Sequence, residues 1–532
     1  MKRFLSLVLT LVMVMSLVTV SAGAKDFTDG DTITYDEAVA VISEIGVVDG
    51  YADGKFNPTN TLTRQAAAKI ICNLILGPTT AVELHADTAP YRDVPASHEF
   101  AGYIAYCAKE GIISGYADGS FRPGGTLTGY AFMKMLLGAL GYDSTLEGYV
   151  GDNWSINVAK QAIGIGLNSG LEGEFNGIKA VNREEACLYA FNTLQADLVE
   201  YGQRLTTNIN GTEVTLSSGG AQSRTWKSQQ SRVNNIREDD IIQFAEEYFS
   251  KLVKTPDDDI FMRPAHTWVY DKKIQIGTWV DHDKLLETYT KGVSGRDLYD
   301  LLGSATIRDF DLEVYVDGHE ANNTGTNGTD YTQYNYIGTA EEIISAELKR
   351  SNTDDLGITG NGVLTEIFID KDAEIVRIVS IHTWLGQATS SYNESRETAS
   401  LKVFKGLTGT GVVSVSKNAH SEDVPEAVDV TSDAFYLIRM SDKDTSLLEI
   451  VDLEEPEILE ESTVTKFSNG KDDSTAALYP KTLTTGGDEY KKSNRAYYDA
   501  DTLNQYDADL LTTNTYNVYL DKYGYFIGVD LF

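Results

Sequence analysis

The chain has 532 residues, and acidic residues outnumber basic ones by 79 to 44, which gives a formal net charge of −35. Nucleic-acid binding needs a positive face that displaces counterions, so this balance argues strongly against it. A chain of this length exceeds what one hydrophobic core organises, and we expect several compact units. Three cysteines are too few for a disulfide framework, so Cys72, Cys107 and Cys187 are expected to pack as buried free thiols.

The N-terminal segment has the three parts of a secretory signal peptide. Lys2 and Arg3 precede an apolar run over residues 4–20, and the small residues Ser21-Ala22-Gly23-Ala24 follow. Residues 1–24 are therefore predicted to be a signal peptide that is cleaved after Ala24. A transmembrane anchor is the alternative, but no basic stop-transfer segment follows. No later segment is apolar enough to span a bilayer, so we expect a secreted protein with no membrane span after cleavage.

A sequence repeat is the strongest feature of the N-terminal region. The stretch GYADGKFNPTNTLTRQ begins at Gly50, and GYADGSFRPGGTLTGY begins at Gly115. In each copy a short helix with a glycine cap precedes the turn, and an apolar helical stripe follows it. A divergent third copy has Phe175 in its turn and a similar stripe after Arg183. Three helix-turn-helix modules are thus predicted at residues 25–80, 88–145 and 146–200.

The second helix of each module is predicted to begin after a capping residue. Asn182 and Glu185 have the spacing of a capping box, and a threonine takes the cap position in the other two modules. An arginine follows the cap at Arg64 and Arg183, but Gly129 stands there in the second copy. Free amides and the positive helix end at this point favour a carboxylate or phosphate, which a guanidinium can clamp bidentately. An exposed arginine in a local ion pair is the alternative.

The order of these elements resembles the S-layer homology module of bacterial surface proteins. An aromatic-x-Asp element comes first, as Phe27-Thr28-Asp29 and Tyr91-Arg92-Asp93, followed by a short helix and Gly-Tyr-x-Asp-Gly-x-Phe-x-Pro. Thr-Arg and an apolar helix complete the pattern. The resemblance implies an all-α bundle of three modules that holds a secreted protein non-covalently to a secondary polysaccharide of a Gram-positive type cell wall.

The resemblance also implies a ligand and its contacts. In the family the ligand is often a pyruvylated sugar, whose carboxylate meets the arginine at the helix start. Gly129 departs from the pattern, so the groove near Tyr116 is expected not to bind as the groove near Tyr51 does. Gly129→Arg is then expected to change stability little and to offer a way of adding a binding site. The implied ligand-binding residues are Arg64, Arg183, Tyr51, Asp53, Gly54, Tyr116 and Asp118.

The rest of the chain is predicted to be mainly β. A Thr-, Ser-, Gly- and Asn-rich composition predicts a linker over residues 201–237 with one weak strand at 213–216, and an apolar helix is expected over 241–252. Three later segments begin as strands and run into an Asp-led turn, and the last two continue as hairpins: LEVYVDGHEA, LTEIFIDKDAEIVRIVSI and YNVYLDKYGYFIGVDLF. We expect sandwich or barrel-like β domains at 238–390 and 391–532, with one or two helices.

This β-rich region has few signs of chemistry. It contains no His-Glu-x-x-His, no Gly-x-Ser-x-Gly, no phosphate-binding glycine loop and no complete calcium loop. His-Thr-Trp occurs at 266–268 and 382–384; tryptophans can stack on sugars, but indoles packed in a β core are favoured. No cofactor is expected, although calcium is an alternative to solvated turns at three acidic clusters. These are Asp257-Asp258-Asp259, Asp442 with Asp444, and Asp472-Asp473.

The leading hypothesis is a structural or interaction protein of the bacterial surface. Its modules would anchor it to the cell wall and display the β-rich region, with self-association in a surface layer as one form of this function. It is not predicted to be an enzyme. One alternative is an anchored glycan or peptidoglycan hydrolase, which would need two convergent carboxylates in the C-terminal region. A second alternative is a surface adhesin that binds through its tryptophans or an exposed sheet edge.

Overall fold

The structure, a computed structural model, forms two compact units. The first runs to Asp257 and includes His266–Trp279, and the second comprises Asp258–Ala265 and Val280–Phe532. The predicted signal peptide, residues 1–24, lies outside the described residues. Among the helices that are described, none combines the length and the apolar character needed to cross a membrane. The described ranges are 27–202, 204–209, 212–217, 220–227, 231–320, 348–408, 411–441, 448–469, 480–498 and 512–532.

The first unit is mainly helical, as the sequence predicts. In each module a first helix, a turn and a second helix follow one another, and the apolar faces of all three modules join in one core. Cys72, Cys107 and Cys187 are buried free thiols in this unit. The helices are α1 (Asp36–Glu44), α2 (Arg64–Leu76), α3 (Pro78–Ala81), α4 (Ala101–Lys109), α5 (Gly129–Ala139), α6 (Trp154–Gly164), α7 (Arg183–Gln195) and α8 (Phe244–Tyr248).

A closed ring of backbone hydrogen bonds joins the three modules. The Leu62 amide donates to the Val181 carbonyl at 2.8 Å, and the Val181 amide donates to the Leu127 carbonyl at 2.9 Å. The Leu127 amide closes the ring by donating to the Leu62 carbonyl at 3.2 Å. All three side chains are buried. Because each module supplies one member of the ring, the start of every second helix lies against a neighbouring module.

The caps of the second helices form as predicted. Thr63 accepts a hydrogen bond from the third residue of α2, and Thr128 does the same for α5. Asn182 accepts from the Glu185 amide while the Glu185 carboxylate accepts from the Asn182 amide, which completes a capping box at α7. The capping signals in the sequence therefore give the correct start of each of these helices.

Residues 201–237 contain the strand predicted at 213–216, but they also contain further strands that the predicted linker lacked. The strand β1 (Val199–Glu200) pairs with β4 (Gln222–Ser223), and between them β2 (Arg204–Ile209) and β3 (Thr212–Ser217) form a hairpin. The amide of Arg224 also donates to the Leu198 carbonyl at 2.7 Å, so this segment is hydrogen-bonded to the end of the helical bundle. Backbone pairing of this kind leaves little trace in composition.

The helix expected over residues 241–252 is shorter in the structure. It comprises only α8, because Leu252 begins the strand β5 (Leu252–Asp258), which forms a three-stranded sheet with β6 (Pro264–Tyr270) and β7 (Ile274–Val280) in the order β5-β6-β7. Trp268 is fully buried, and its indole N–H donates to Glu37 of α1 at 2.7 Å. The Trp279 indole donates to Asp36 of the same helix at 2.9 Å. The first His-Thr-Trp tryptophan is therefore a core residue.

The second unit is mainly β, which confirms the predicted fold class. Helix α9 (Gly295–Asp309) packs on the first of three sheets through a cluster of apolar residues. The strands are β8 (Leu285–Tyr289), β9 (Asp311–Val316), β10 (His319–Glu320), β11 (Leu364–Asp370), β12 (Ile375–Ile381), β13 (Trp384–Ala388), β14 (Thr398–Thr408), β15 (Gly411–His420), β16 (Phe435–Ser441), β17 (Glu449–Glu454), β18 (Glu457–Ser462), β19 (Lys466–Asn469), β20 (Pro480–Thr485), β21 (Asp488–Tyr498), β22 (Tyr516–Leu520) and β23 (Phe526–Leu531).

The predicted hairpins appear as β11–β12 and β22–β23. The sheet orders are β10-β9-β12-β11-β8, β15-β14-β13-β16-β17 and β18-β22-β23-β21-β20-β19. Among the described strands two pairings are parallel, β12 with β9 and β21 with β23, so the first and third sheets are mixed, whereas the second is antiparallel throughout. The second and third sheets share a small core that includes Leu385, Phe404 and Tyr519. Trp384 is buried in the core of the second sheet, as expected for a strand indole.

The turn of the β22–β23 hairpin is built on a buried aspartate. The Asp521 Oδ1 atom accepts hydrogen bonds from the amides of Tyr523 at 2.9 Å and Tyr525 at 3.0 Å. The side chain is only 2% exposed, and its Oδ2 atom makes no well-formed hydrogen bond in the described part of the chain. Burial raises the pKa of Asp521 to about 6. Because the folded state holds the proton more tightly than the unfolded chain, ionisation of this group at neutral pH costs stability.

We expect Asp521→Asn to raise the free energy of unfolding at pH 8 by about 2–3 kcal/mol, since a shift of roughly two pKa units is worth that much. The carboxyl contributes its full stability below its unfolded pKa of about 4 and loses it as the pH rises through the folded pKa. The stability gain of the variant should therefore vanish at pH 4. Urea denaturation of the full chain at both pH values measures this difference. The exposed Asp488→Asn is the control, and an Asp521→Asn gain that is the same at pH 4 and pH 8 would contradict the assignment.

Candidate ligand-binding grooves

Arg64 reaches from the start of α2 in the first module to the turn of the second module. Its guanidinium carbon lies 5.1 Å from the ring centre of Tyr116 and 4.4 Å from that of Phe121. Its Nε atom donates to the Phe121 carbonyl at 2.8 Å, and Nη2 donates to the Ser114 carbonyl at 2.9 Å. We call this site the Arg64 groove.

Arg183 makes the same contacts from the third module to the turn of the first. Its guanidinium carbon lies 4.7 Å from the ring centre of Tyr51 and 4.8 Å from that of Phe56. Its Nε atom donates to the Phe56 carbonyl and its Nη2 atom to the Asp49 carbonyl, both at 2.9 Å. We call this site the Arg183 groove. The two grooves therefore hold their arginines in equivalent positions.

The structure corrects the predicted pairing of arginines with turns. The sequence suggested that the Tyr51 turn belongs with Arg64 of its own module and that the Tyr116 turn lacks an arginine because of Gly129. Instead, Arg64 lies on the Tyr116 turn and Arg183 lies on the Tyr51 turn. The reason is the ring of backbone hydrogen bonds, which places each second helix against the turn of a neighbouring module rather than its own.

The remaining predicted site residues shape the turns. Asp53 accepts a hydrogen bond from the Lys55 amide at 3.1 Å, and Gly54 has a φ of 82°, a left-handed conformation that glycine adopts without strain. Asp118 accepts from the Ser120 hydroxyl at 2.6 Å and from its amide at 3.0 Å. These bonds lower the pKa of Asp118 to about 2, so it is ionised at any physiological pH.

Two further aspartates hold the turns, and the sequence reasoning assigned them no role. The carboxylate of Asp29 accepts from the amides of Phe56 at 2.7 Å and Asn57 at 2.8 Å. The carboxylate of Asp93 accepts from the amides of Phe121 and Arg122, both at 2.7 Å. Both belong to the aromatic-x-Asp element, which is the sequence feature from which their role could have been predicted. They fix the phenylalanine on which each guanidinium stacks.

The helix-start amides are not available to a ligand, which corrects a second expectation. The Arg64 amide donates to the Gly125 carbonyl at 2.9 Å, and the next amide in α2 donates to the Pro123 carbonyl at 3.0 Å. In α7 the Arg183 amide donates to the Asn60 carbonyl at 2.9 Å. The third amide of each helix donates to its cap residue. Carbonyls of the neighbouring module thus satisfy the amides, and the guanidinium is the group left to receive an anion.

Neither arginine has an acidic partner among the described residues. Each guanidinium uses Nε and Nη2 for backbone carbonyls, and its Nη1 atom meets no acceptor in the described part of the chain. Burial lowers the pKa of Arg64, although a guanidinium remains charged at physiological pH. The neighbouring rings are open to solvent, with Tyr51 46% and Tyr116 42% exposed. The grooves therefore present an uncompensated cation beside an exposed aromatic face.

The third inter-module position is closed. Gly129 at the start of α5 faces the turn of the third module, where a Cβ atom would lie 3.1 Å from the Gly177 Cα atom and 3.2 Å from the Phe175 ring. The ring of Tyr130 packs edge-on against Phe175 at 5.8 Å. Gly170 stands five residues before Phe175, where the other two turns have their tyrosine. This position lacks both the arginine and the tyrosine, and the rings of Tyr130 and Phe175 fill the space.

The acidic cluster at 257–259 is already paired. Asp259 pairs with the buried Arg263 at 2.6 Å, and Asp258 pairs with Arg377. The Thr267 hydroxyl donates to Asp257 at 2.7 Å. In the described ranges no group of three or more acidic, His or Cys side chains is arranged to hold a metal. The clusters with Asp442, Asp444, Asp472 and Asp473 lie outside the described residues, and calcium binding there stays a prediction.

We expect Gly129→Arg to lower the free energy of unfolding by about 1–3 kcal/mol, because its Cβ atom would crowd Phe175 and the backbone of Gly177. This geometry opposes the expectation that the change is nearly neutral. Gly138→Ala in the same helix is the matched control, since its Cβ atom would make an ordinary contact of 3.5 Å with Ile112. That variant should gain about 0.5–1 kcal/mol from helix propensity. Thermal unfolding of the full chain compares the two, and a Gly129→Arg protein as stable as the parent would refute the closed third position.

Comparison with known proteins supports the assignment of the first two modules. The S-layer homology domain matches residues 26–68 and 90–129, which lie in the first two modules. The surface layer protein of Brevibacillus choshinensis is 26% identical over 167 residues, which are 30% of this chain and 15% of that protein. The S-layer protein of Bacillus licheniformis is 25% identical over 224 residues, which are 40% of this chain and 25% of that protein.

A third relative carries a different name. A cell wall amidase of Bacillus anthracis, described as uncharacterized, is 24% identical over 153 residues, which are 27% of this chain and 28% of that protein. The chain thus spans between 15% and 28% of the length of these three relatives. The domain matches agree with the first two helix-turn-helix modules of the bundle. The chain is therefore a surface protein that carries S-layer homology domains.

Proposed function

We propose that the N-terminal modules hold this secreted protein non-covalently to the cell wall by binding an anionic secondary polysaccharide in the Arg64 and Arg183 grooves. The observation that carries the proposal is the pair of guanidinium groups that meet no acidic partner among the described residues, in a chain whose net charge is −35. A partly buried cation of this kind gains most from a carboxylate or phosphate that reaches its free N–H groups. An acidic polymer supplies such a group.

The exposed tyrosines favour a sugar as the carrier of that anion. In each groove a tyrosine ring lies beside the guanidinium and is open to solvent on part of its surface. An aromatic ring offers an apolar surface and a hydroxyl, which together suit the C–H faces and hydroxyls of a sugar ring. A sugar with an attached carboxylate, such as a pyruvylated one, can meet both groups at once. This proposal accounts for Tyr51, Tyr116, Arg64 and Arg183 together.

The mainly-β second unit is the part that the modules would display. The surface-layer names of the relatives support a structural or interaction role for this chain, including self-association in a surface layer. An adhesin that binds through tryptophan is less favoured, because Trp268 and Trp384 are at most 2% exposed. A sheet edge could still serve as the contact surface.

A wall hydrolase is the second candidate, because one relative is named a cell wall amidase. Several buried or partly buried carboxylates of the second unit are, however, committed to arginines. Arg439 pairs with Asp452 and Glu454, and Arg377 pairs with Asp258 and Glu313. Salt bridges of this kind keep a carboxylate ionised and occupied rather than free to act as a general acid or base. These pairs make a structural role the better supported one.

An Arg64→Ala, Arg183→Ala double variant should lose at least about a hundredfold in affinity for purified sacculi, since both charge-assisted clamps are removed. Cosedimentation of the full chain with sacculi measures the affinity. Arg232→Ala is the matched control, because that arginine is exposed, lies outside the grooves and pairs with Asp240. Sacculi stripped of their acidic polymer should bind neither protein. Undiminished binding by the double variant would sink the proposal.

The purified full chain should release no soluble sugar or peptide from sacculi under conditions in which it binds them. The expectation follows from the pairing of acidic side chains with arginines in the second unit. Turbidity and reducing-end assays, with a commercial muramidase as positive control, test it. Measurable release that disappears with an acidic-to-amide substitution in the second unit would favour the hydrolase instead.

A further inference from the structure

The two arginine grooves share a framework but differ in charge. We propose that the Arg64 groove is the primary site for the acidic wall polymer and takes a unit with more than one negative charge, with Arg122 as a second ligand contact. This inference rests on the proposed wall binding and adds a ranking of the two grooves. The internal repeat makes the comparison direct, because each residue of one turn has a counterpart in the other.

The Arg64 groove contains two additional arginines. The guanidinium carbon of Arg122 lies 4.0 Å from the ring centre of Tyr116, closer than that of Arg64, and its side chain is 57% exposed. Arg92 belongs to the aromatic-x-Asp element that supports this turn, contacts Asp118 and is 63% exposed. An anion held by Arg64 beside Tyr116 would therefore have a second guanidinium at the rim of the groove. Two cations around one ring favour a ligand with two negative charges or a run of them.

The acidic residues of this groove do not neutralise its cations. Asp118 Oδ2 lies 3.1 Å from Arg92 and 3.4 Å from Arg122, so one carboxylate oxygen is shared by two guanidinium groups. Both oxygens of Asp93 accept hydrogen bonds from backbone amides. Arg64 has no acidic partner within the described chain. Three cations thus face two carboxylates, and an excess of positive charge remains.

The Arg183 groove has a less positive balance. Thr28 and Asn57 stand where the Arg64 groove has Arg92 and Arg122, and among the described residues of this groove only Lys55 is added as a cation. The acidic residues Asp29 and Asp53 belong to the same turn and its supporting element. Within about one Debye length, roughly 8 Å at physiological salt, these charges act on a ligand together. An acidic polymer should therefore prefer the Arg64 groove.

The backbone at Arg122 points to the same conclusion. Its φ is 58°, in the left-handed region that a long side chain seldom adopts. The equivalent Asn57 has a φ of 54°, and asparagine is among the residues that tolerate this region best. The turn alone therefore favours asparagine at both places. The arginine in the second turn is explained by what its guanidinium contacts rather than by the backbone.

The test uses the full chain and purified sacculi that carry their acidic polymer, with affinity measured over a series of salt concentrations. Arg64→Ala should weaken binding at least about tenfold more than Arg183→Ala does. Arg122→Asn, which installs the residue of the other groove, should weaken binding several-fold and reduce the slope of log affinity against log salt by about one. Asn57→Arg is the reciprocal change and should strengthen binding and steepen the slope. Arg232→Ala should alter neither quantity.

The outcomes separate this inference from the function on which it rests. Equal losses from the two single arginine variants, or an unchanged salt slope in Arg122→Asn, would overturn the ranking while leaving wall binding intact. Full binding by the double arginine variant would overturn the proposed function itself. Arg64→Ala removes two hydrogen bonds to the neighbouring module and could loosen it. Because Arg122 is exposed and Asn57 is half-buried, and neither bonds to the neighbouring module through its side chain within the described chain, the reciprocal pair decides the question even in that case.

Discussion

The three backbone hydrogen bonds that link Leu62, Val181 and Leu127 are the constraint on which the rest of the helical bundle depends. They form a closed ring, so no module can adopt its place without the other two. The ring sets the start of each second helix against a turn that belongs to another module. The packing of repeated modules against each other is thus also what brings each arginine to its aromatic partners.

The same constraint explains why the arginines are free to bind. Backbone carbonyls of the neighbouring turn take the helix-start amides and two of the guanidinium donors, which orients the side chain without neutralising it. If a carboxylate accepted these hydrogen bonds instead of backbone carbonyls, it would neutralise the guanidinium, and the contact would be purely structural. Stacking on a phenylalanine further holds the guanidinium in one position, so little conformational entropy is left to lose when a ligand arrives.

The second unit uses arginines for the opposite purpose. Arg263 and Arg439 are nearly inaccessible to solvent and are paired with acidic side chains. Buried pairs of this kind add little net stability, because desolvation offsets their attraction, but removing one partner leaves a buried charge that is costly. We expect them to act on the specificity of packing rather than on net stability. The sequence shows an arginine in each case and does not reveal which are buried and paired.

Local features could be predicted from the amino-acid pattern alone: the capping residues at Thr63, Thr128 and Asn182, the apolar helical stripes, the Asp-led hairpins and the mainly-β character of the second unit. These depend on contacts between residues close in the chain, which periodicity and turn chemistry report. The turn that each arginine meets and the closure of the third position follow instead from the packing of the three modules against each other. Arg64 bonds to a carbonyl 57 residues away and Arg183 to one 127 residues away, so both contacts depend on the ring between modules. Such contacts cannot be predicted from the order of residues, because they form only when all three modules pack together.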